Sequence, residues 1–285
     1  MSNNTSRRLV NRLEADTPTS VIQVGASVFG ARDIPVIAGP CAVESTEQMT
    51  AVAQTLVDLG IPCMRAGVFK PRTSPYTFQG MGEEGLAILA DIKSRFGLAV
   101  ISEVMSVEQI ALARDTVDCF QIGARNMQNF ELLKALGKEQ KPVLLKRGLA
   151  ATLDEFLHAA EYIALGGNTQ IILCERGIRS FDMQTRNVLD LAGAVLLKEK
   201  THLPVIVDPS HATGKRSLIS PCAKAAIAAG LDGLMIEAHP EPEHSVSDSE
   251  QALGLDALKT LVGELQPVAQ AVSRQLVGTT ISCDR

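Results

Sequence analysis

Residues able to ligate a transition metal stand at widely separated points of this chain: Cys41 in "IAGPCAVES", His211 in "LPVIVDPSHATG" and Glu237 in "IEAHP", with Asp248 in "HSVSD" as a further carboxylate. A thiolate, an imidazole and carboxylate oxygens suit a divalent transition metal such as Mn, Fe, Co or Zn, whereas hard magnesium matches sulfur poorly. On spacing alone His239 and His244 compete with His211. A second set is cationic: Arg65, Lys70, Arg72, Arg125, Lys146 and Arg176, with Arg179 nearby. Guanidinium groups grip phosphate oxygens through paired hydrogen bonds, so this density calls for phosphate, and for more than one. The stretch "HATGKRS" has the Gly-Lys of a nucleotide-phosphate loop, but Pro209 stands where the first glycine belongs and Arg216 where the hydroxyl belongs.

These groups share a position in the sequence pattern. Eight short apolar runs, "IPVIAG", "IPCMRAGVF", "LAVISEVM", "VDCFQIGA", "KPVLLKRG", "TQIILCERG", "LPVIVDPSH" and "GLMIEAHP", alternate with segments of helical spacing, and the chemical residues fall at or just past their carboxyl ends. In "STEQMTAVAQTLVDLG", for example, Ser45 or Thr46 can cap the helix start and Gly60 can take the left-handed stop. Strict alternation favours a parallel sheet with right-handed crossovers, and eight units close a TIM (β/α)8 barrel, whose catalytic groups project from the carboxyl rim. Eight strands each ending in an ionisable group argue against isolated rim charges. An open doubly wound sheet is the competing fold, and no G-x-G-x-x-G follows any strand to support it. Residues 1–33 form a polar leader and, in "SVIQVGASVFG", a hairpin expected to close the barrel bottom; 34–275 form the catalytic barrel and 276–285 a C-terminal tail.

The chain has 285 residues, enough to bury roughly three quarters of its unfolded surface as one domain. A net charge of −5, the absence of Trp and few aromatics argue against nucleic acid as a partner. No apolar run approaches the roughly 20 residues that span a bilayer, so no membrane partner is expected. Six cysteines without CxxC spacing, and no signal-peptide pattern, lead to the expectation of reduced thiols in a cytoplasmic protein.

The motifs "IAGPCAVES", "RAGVFKPRTSPYTFQGMGEEGL", "ISEVMS", "QIGARNMQNFELL", "VLLKRG", "ILCERGIRSFD", "LPVIVDPSHATG" and "IEAHPEPEHSVSD" resemble, in order, the 3-deoxy-D-arabino-heptulosonate 7-phosphate (DAHP) synthases of the short type I beta class, from about residue 20 to 262. The resemblance implies condensation of phosphoenolpyruvate with erythrose 4-phosphate, releasing phosphate, as the first step of the shikimate route. It implies Cys41, His211, Glu237 and Asp248 as metal ligands. Phosphoenolpyruvate would be held by Arg65, Lys70, Arg125, Lys146 and Arg176, and erythrose 4-phosphate by Arg72 and Thr73, with Asp208 near its hydroxyl end. Glu103 would orient or deprotonate the water that adds at C2, Lys70 would donate a proton, and His211 counts among the catalytic groups. The family commonly assembles into dimers or tetramers, so a homo-oligomer is expected.

Two departures stand out. Relatives often read S-D-G-P-Q-S-L where this chain has "SDSEQAL" (247–253), keeping Asp248 but losing the Gly-Pro turn, and Ala66 replaces a usual glycine. The related 3-deoxy-octulosonate 8-phosphate synthases take arabinose 5-phosphate and read K-A-N-R-S where this chain has "KPRTS", which favours the four-carbon sugar. About 30 residues before the barrel are too few for a regulatory domain, so no intrinsic feedback by aromatic amino acids is expected. Two further readings are a catalytically silent sugar-phosphate-binding barrel and a Schiff-base aldolase using Lys146.

Overall fold

The computed structural model describes residues 9–72 and 74–277. Strands β1 (Ile22–Val24) and β2 (Ser27–Phe29) form an antiparallel hairpin. Eight parallel strands then close a barrel: β3 (Val36–Gly39), β4 (Cys63–Arg65), β5 (Ala99–Glu103), β6 (Cys119–Ile122), β7 (Val143–Lys146), β8 (Ile171–Glu175), β9 (Val205–Val207) and β10 (Leu234–Glu237), each paired with the next and β10 with β3. Between them lie α1 (Thr46–Asp58), α2 (Glu83–Phe96), α3 (Val107–Ala113), α4 (Phe130–Leu136), α5 (Leu153–Leu165), α6 (Leu191–Lys200), α7 (Pro209–Thr213) and α8 (Arg216–Ala228), and α9 (Leu255–Ala271) follows β10. The expected TIM barrel is present, and all eight apolar runs supply its strands.

Local chemistry sets the boundaries. Ser45 caps α1 by accepting from Gln48 N at 3.1 Å, and Gly60 beyond its end has φ +66. The step from β9 into the polar "DPSH" is a short helix in its own right: Asp208 caps α7, and Pro209 fits its first turn, where no N–H donor is needed.

Two buried layers follow from strand alternation. One faces the helices. The other fills the barrel with Ile37, Cys63, Ala99, Ile101, Cys119, Leu144, Ile172, Cys174, Ile206 and Met235, joined by Ile22, Val24 and Phe29 from the hairpin. The hairpin therefore packs against the barrel's interior residues, and its turn passes so close that a Cβ on Gly25 would lie 2.5 Å from that of Ala99. Two residues beyond the last inward apolar position of each strand come Gly39, Arg65, Glu103, Gln121, Lys146, Arg176, Asp208 and Glu237. Period two thus puts a polar layer directly above the apolar fill, at the carboxyl rim.

Candidate active site

A cavity of about 320 Å³ opens at that rim. Its walls include Cys41, Arg65, Lys70, Arg72, Glu103, Arg125, Lys146, Arg176, His211 and Asp248, so ten of the residues anticipated from sequence converge on one space. Glu237 is fully buried below it, against His211 and Arg65. Thr73 lies outside the described residues. Arg179 lines an adjoining 220 Å³ cavity that shares Arg125 and Arg176 with the first.

Asp208 is placed differently from the sequence expectation. It is absent from the cavity wall and fully buried behind it, where its carboxylate meets Lys146 Nζ at 2.6 Å and His211 Nδ1 at 2.9 Å. Burial alone would raise its pKa, but His211 and Lys146 outweigh that and hold it well below the usual carboxylate range. Lys146 is thereby arranged as an ion-pair partner rather than as an isolated amine.

The donor atoms of Cys41, His211, Glu237 and Asp248 all lie within 4.8 Å of one another. Gly39 lets the chain turn here: at φ +142, a Cβ on it would sit 2.3 Å from the Arg65 carbonyl oxygen. Cys41 Sγ is 3.1 Å from Asp248 Oδ2 and 2.8 Å from Lys70 Nζ. His211 turns Nδ1 to Asp208 and Nε2 to Glu237, at 3.4 Å. A carboxylate behind a histidine is how ligating imidazoles are commonly fixed in tautomer and orientation.

Burial pushes the Glu237 carboxyl up to about 7, raises the Cys41 thiol and lowers His211 to about 3, leaving a neutral imidazole. Burial also acts to raise Asp248, but His211 and the Arg186 guanidinium outweigh it and hold the acid low. Glu237 Oε1 is buried with no hydrogen-bond partner among the described residues, an orphan that a cation would satisfy. Donor types, mutual spacing and this orphan all fit a divalent transition cation. The rival histidines are elsewhere: His239 Nε2 lies against Glu44 at 3.3 Å, and exposed His244 pairs with Glu241.

Seven cationic side chains and two carboxylates line the cavity, leaving an excess of positive charge. Glu103 belongs to the polar layer and lines the same cavity, its Oε2 accepting from Gln121 Nε2 at 3.1 Å and its Oε1 buried without a partner among the described residues. Gly123 makes room for it, since a Cβ there would lie 2.1 Å from Oε1.

Three participants were not singled out in the sequence. Gln121 occupies the inward rim position of β6, and two-residue alternation through "CFQI" marks it. Arg186, in the irregular loop between β8 and α6, pairs with Asp248 at 3.0 Å and with Gln251 Oε1 at 2.8 Å. Gln251 in turn donates to Glu237 Oε2 at 2.7 Å. No periodicity points to either of the last two.

Barrel and site together define a class: a (β/α)8 protein whose carboxyl rim carries a cysteine-containing metal-type cluster beside a strongly cationic mouth. The chain belongs to the DAHP synthetase I family, whose sequence profile matches residues 19–274. It is 46% identical over 265 residues to the phospho-2-dehydro-3-deoxyheptonate aldolase of Thermotoga maritima, covering 93% of this chain and 78% of that one. A 2-dehydro-3-deoxyphosphooctonate aldolase from Desulfatibacillum aliphaticivorans is 33% identical, covering 84% of this chain and 93% of the relative. The crystal structure of the Thermotoga maritima DAHP synthase superposes with a TM-score of 0.91 at 45% identity, covering 95% of this chain and 79% of that one.

Proposed function

We propose that this protein is a 3-deoxy-7-phosphoheptulonate synthase, joining phosphoenolpyruvate to erythrose 4-phosphate with addition of water and release of inorganic phosphate. The observation that carries this reading is the four-donor cluster at a strongly cationic mouth, with Cys41, His211 and Asp248 on its wall and Glu237 buried beneath. Phosphoenolpyruvate with its carboxylate and erythrose 4-phosphate together bring about five negative charges, which matches the excess of five cations over carboxylates on the wall (seven minus two).

Cys41, His211, Glu237 and Asp248 would hold a divalent transition metal, with Mn, Fe, Co and Zn all suited to the donor set; bound, it supplies Lewis acidity toward the sugar's aldehyde oxygen. Arg65, Arg125, Lys146 and Arg176 hold phosphoenolpyruvate, and Arg72 and Thr73 take the phosphate of the sugar. Gathering two anions against their repulsion supplies much of the advantage of proximity. As C3 of phosphoenolpyruvate bonds to the aldehyde carbon, Lys70 delivers a proton to the developing alkoxide. Glu103 Oε1 accepts a proton from the water that adds at C2, and the C2–O bond to phosphate then breaks. Asp208 keeps Lys146 and His211 in place rather than meeting sugar hydroxyls.

The same reading assigns the protein to the cytoplasm, in keeping with the free, buried thiols of Cys41, Cys63, Cys119 and Cys174. No helix among the described residues is long and apolar enough to cross a membrane. The reading also makes it a homo-oligomer, dimer or tetramer, for which the partly exposed Phe130–Tyr162 ring pair offers apolar surface. Phosphate release from phosphoenolpyruvate, measured with erythrose 4-phosphate and with arabinose 5-phosphate, tests the assignment. Turnover with the four-carbon sugar is expected; turnover with arabinose 5-phosphate alone would make it an octulosonate synthase, and turnover with neither would make it a silent barrel.

A further inference from the structure

Glu44 lies three residues after Cys41, just before α1, and belongs neither to the donor cluster nor to the cavity wall. Its carboxylate faces a distant part of the chain. Oε1 accepts from Val246 N at 3.1 Å and shares the Ser245 hydroxyl proton, at 3.1 Å, with Ser247 O; Oε2 lies 3.3 Å from His239 Nε2. All three partners sit between β10 and α9, on the segment that carries Asp248. That segment is irregular apart from a short 3-10 turn at Pro242–His244, and Asp248 itself has φ +56. Non-glycine residues seldom adopt this left-handed conformation, although aspartate does so more readily than most. In this conformation Asp248 Oδ2 lies 3.1 Å from Cys41 Sγ.

The anchor is itself fixed. Glu44 N donates to Gln48 Oε1 at 3.1 Å, and Gln48 Nε2 donates to Ala42 O at 3.1 Å, which ties the loop carrying Cys41 to the first turn of α1. We infer that Glu44 is a positioning residue for the metal site, clamping the Asp248 turn to the Cys41 loop so that ligands from opposite ends of the chain meet around one cation. The inference rests on the metal reading above.

The test is a Co2+ titration of the metal-stripped full chain, followed by the thiolate-to-cobalt charge-transfer absorption that reports ligation by Cys41. Outer partners of metal ligands commonly account for about ten- to hundredfold in affinity, so Glu44→Ala weakens Co2+ binding by about that factor. Glu44→Gln keeps the accepting oxygen and recovers most of the loss. Glu44→Asp withdraws the carboxylate by one methylene, behaves like the alanine variant, and gives the reading if that variant fails to fold. Wild-type affinity in Glu44→Ala or Glu44→Asp overturns the clamp. Absence of Co2+ binding by the wild type overturns the metal reading itself and the inference with it, so the two failures are distinguishable.

Discussion

Replacing Gly123 by alanine tests the role of Glu103 without touching Glu103. The backbone there, φ −67 and ψ 157, suits any residue, so the substitution brings no conformational strain. The added Cβ, however, would stand 2.1 Å from Glu103 Oε1 and 2.8 Å from its Cδ. Heavy atoms settle at about 3.5 Å or more, so Oε1 must retreat by about 1.4 Å, which disturbs the hydrogen bond that the same carboxylate accepts from Gln121. A flexible carboxylate yields easily, and loss of glycine's freedom in the unfolded chain stabilises by about 0.4–1 kcal/mol, so the melting temperature should change little. Catalysis has less tolerance: a displacement of about 1 Å can cost about a hundredfold, equivalent to about 2.7 kcal/mol of barrier. Steady-state phosphate release should show that loss in kcat with Co2+ affinity unchanged. If the effect runs through Glu103, adding Gly123→Ala to Glu103→Gln costs little further. A folded Gly123→Ala protein with wild-type kcat would refute the assignment of Glu103.

Metal affinity should depend on pH with a definite sign. In the metal-free protein, burial holds the Glu237 carboxyl up to about 7 and raises the Cys41 thiol, while His211 is already neutral. Ligation removes the protons of Glu237 and Cys41, so Co2+ affinity rises as pH increases through about 7 and uptake releases protons; a pH-independent affinity contradicts this. Arg147 and Glu175 lie behind the barrel as a buried pair at 2.9 Å, with Asp190 at 2.8 Å, and Arg147→Ala strands the fully buried Glu175. Denaturant titration should show a loss of about 3–5 kcal/mol; undiminished stability would show that the pair is dispensable. Cys63, Cys119 and Cys174 fill the barrel, where burial raises all three thiols. Ellman's reagent should reach these three only after unfolding, whereas Cys222 is partly exposed and Cys41 lines the cavity; labelling of Cys63, Cys119 or Cys174 in the native protein would contradict the interior packing.

The sequence made the barrel and most of the site legible because both obey short-range rules. Alternation within "VIAG" or "VLLK" marks strands, helical spacing marks the segments between them, and the residue where apolar character stops is the residue at the rim. Cys41, His211, Glu237 and Asp248 could be grouped by donor chemistry before any contact was known. What stayed hidden depends on long-range geometry. The family resemblance implies Asp208 near the sugar's hydroxyl end, whereas in the structure its carboxylate is buried against Lys146 and His211 at the start of α7. Arg186 and Gln251 reach the ligands from irregular loops, where no period links sequence position to direction. Glu44 meets Val246 across 202 positions of chain, a separation that no local pattern encodes. Gln121 is the exception, since the alternation that identified its neighbours identifies it too.

The central claim is that one divalent cation, held by Cys41, His211, Glu237 and Asp248, is required for turnover. The most direct measurement is phosphate release from phosphoenolpyruvate and erythrose 4-phosphate by the metal-stripped full chain, before and after titration with Co2+. The account predicts no release without metal and full recovery as one ion binds per chain, with Cys41→Ser failing to recover at the same concentration. Undiminished turnover by protein shown to carry no metal would contradict it.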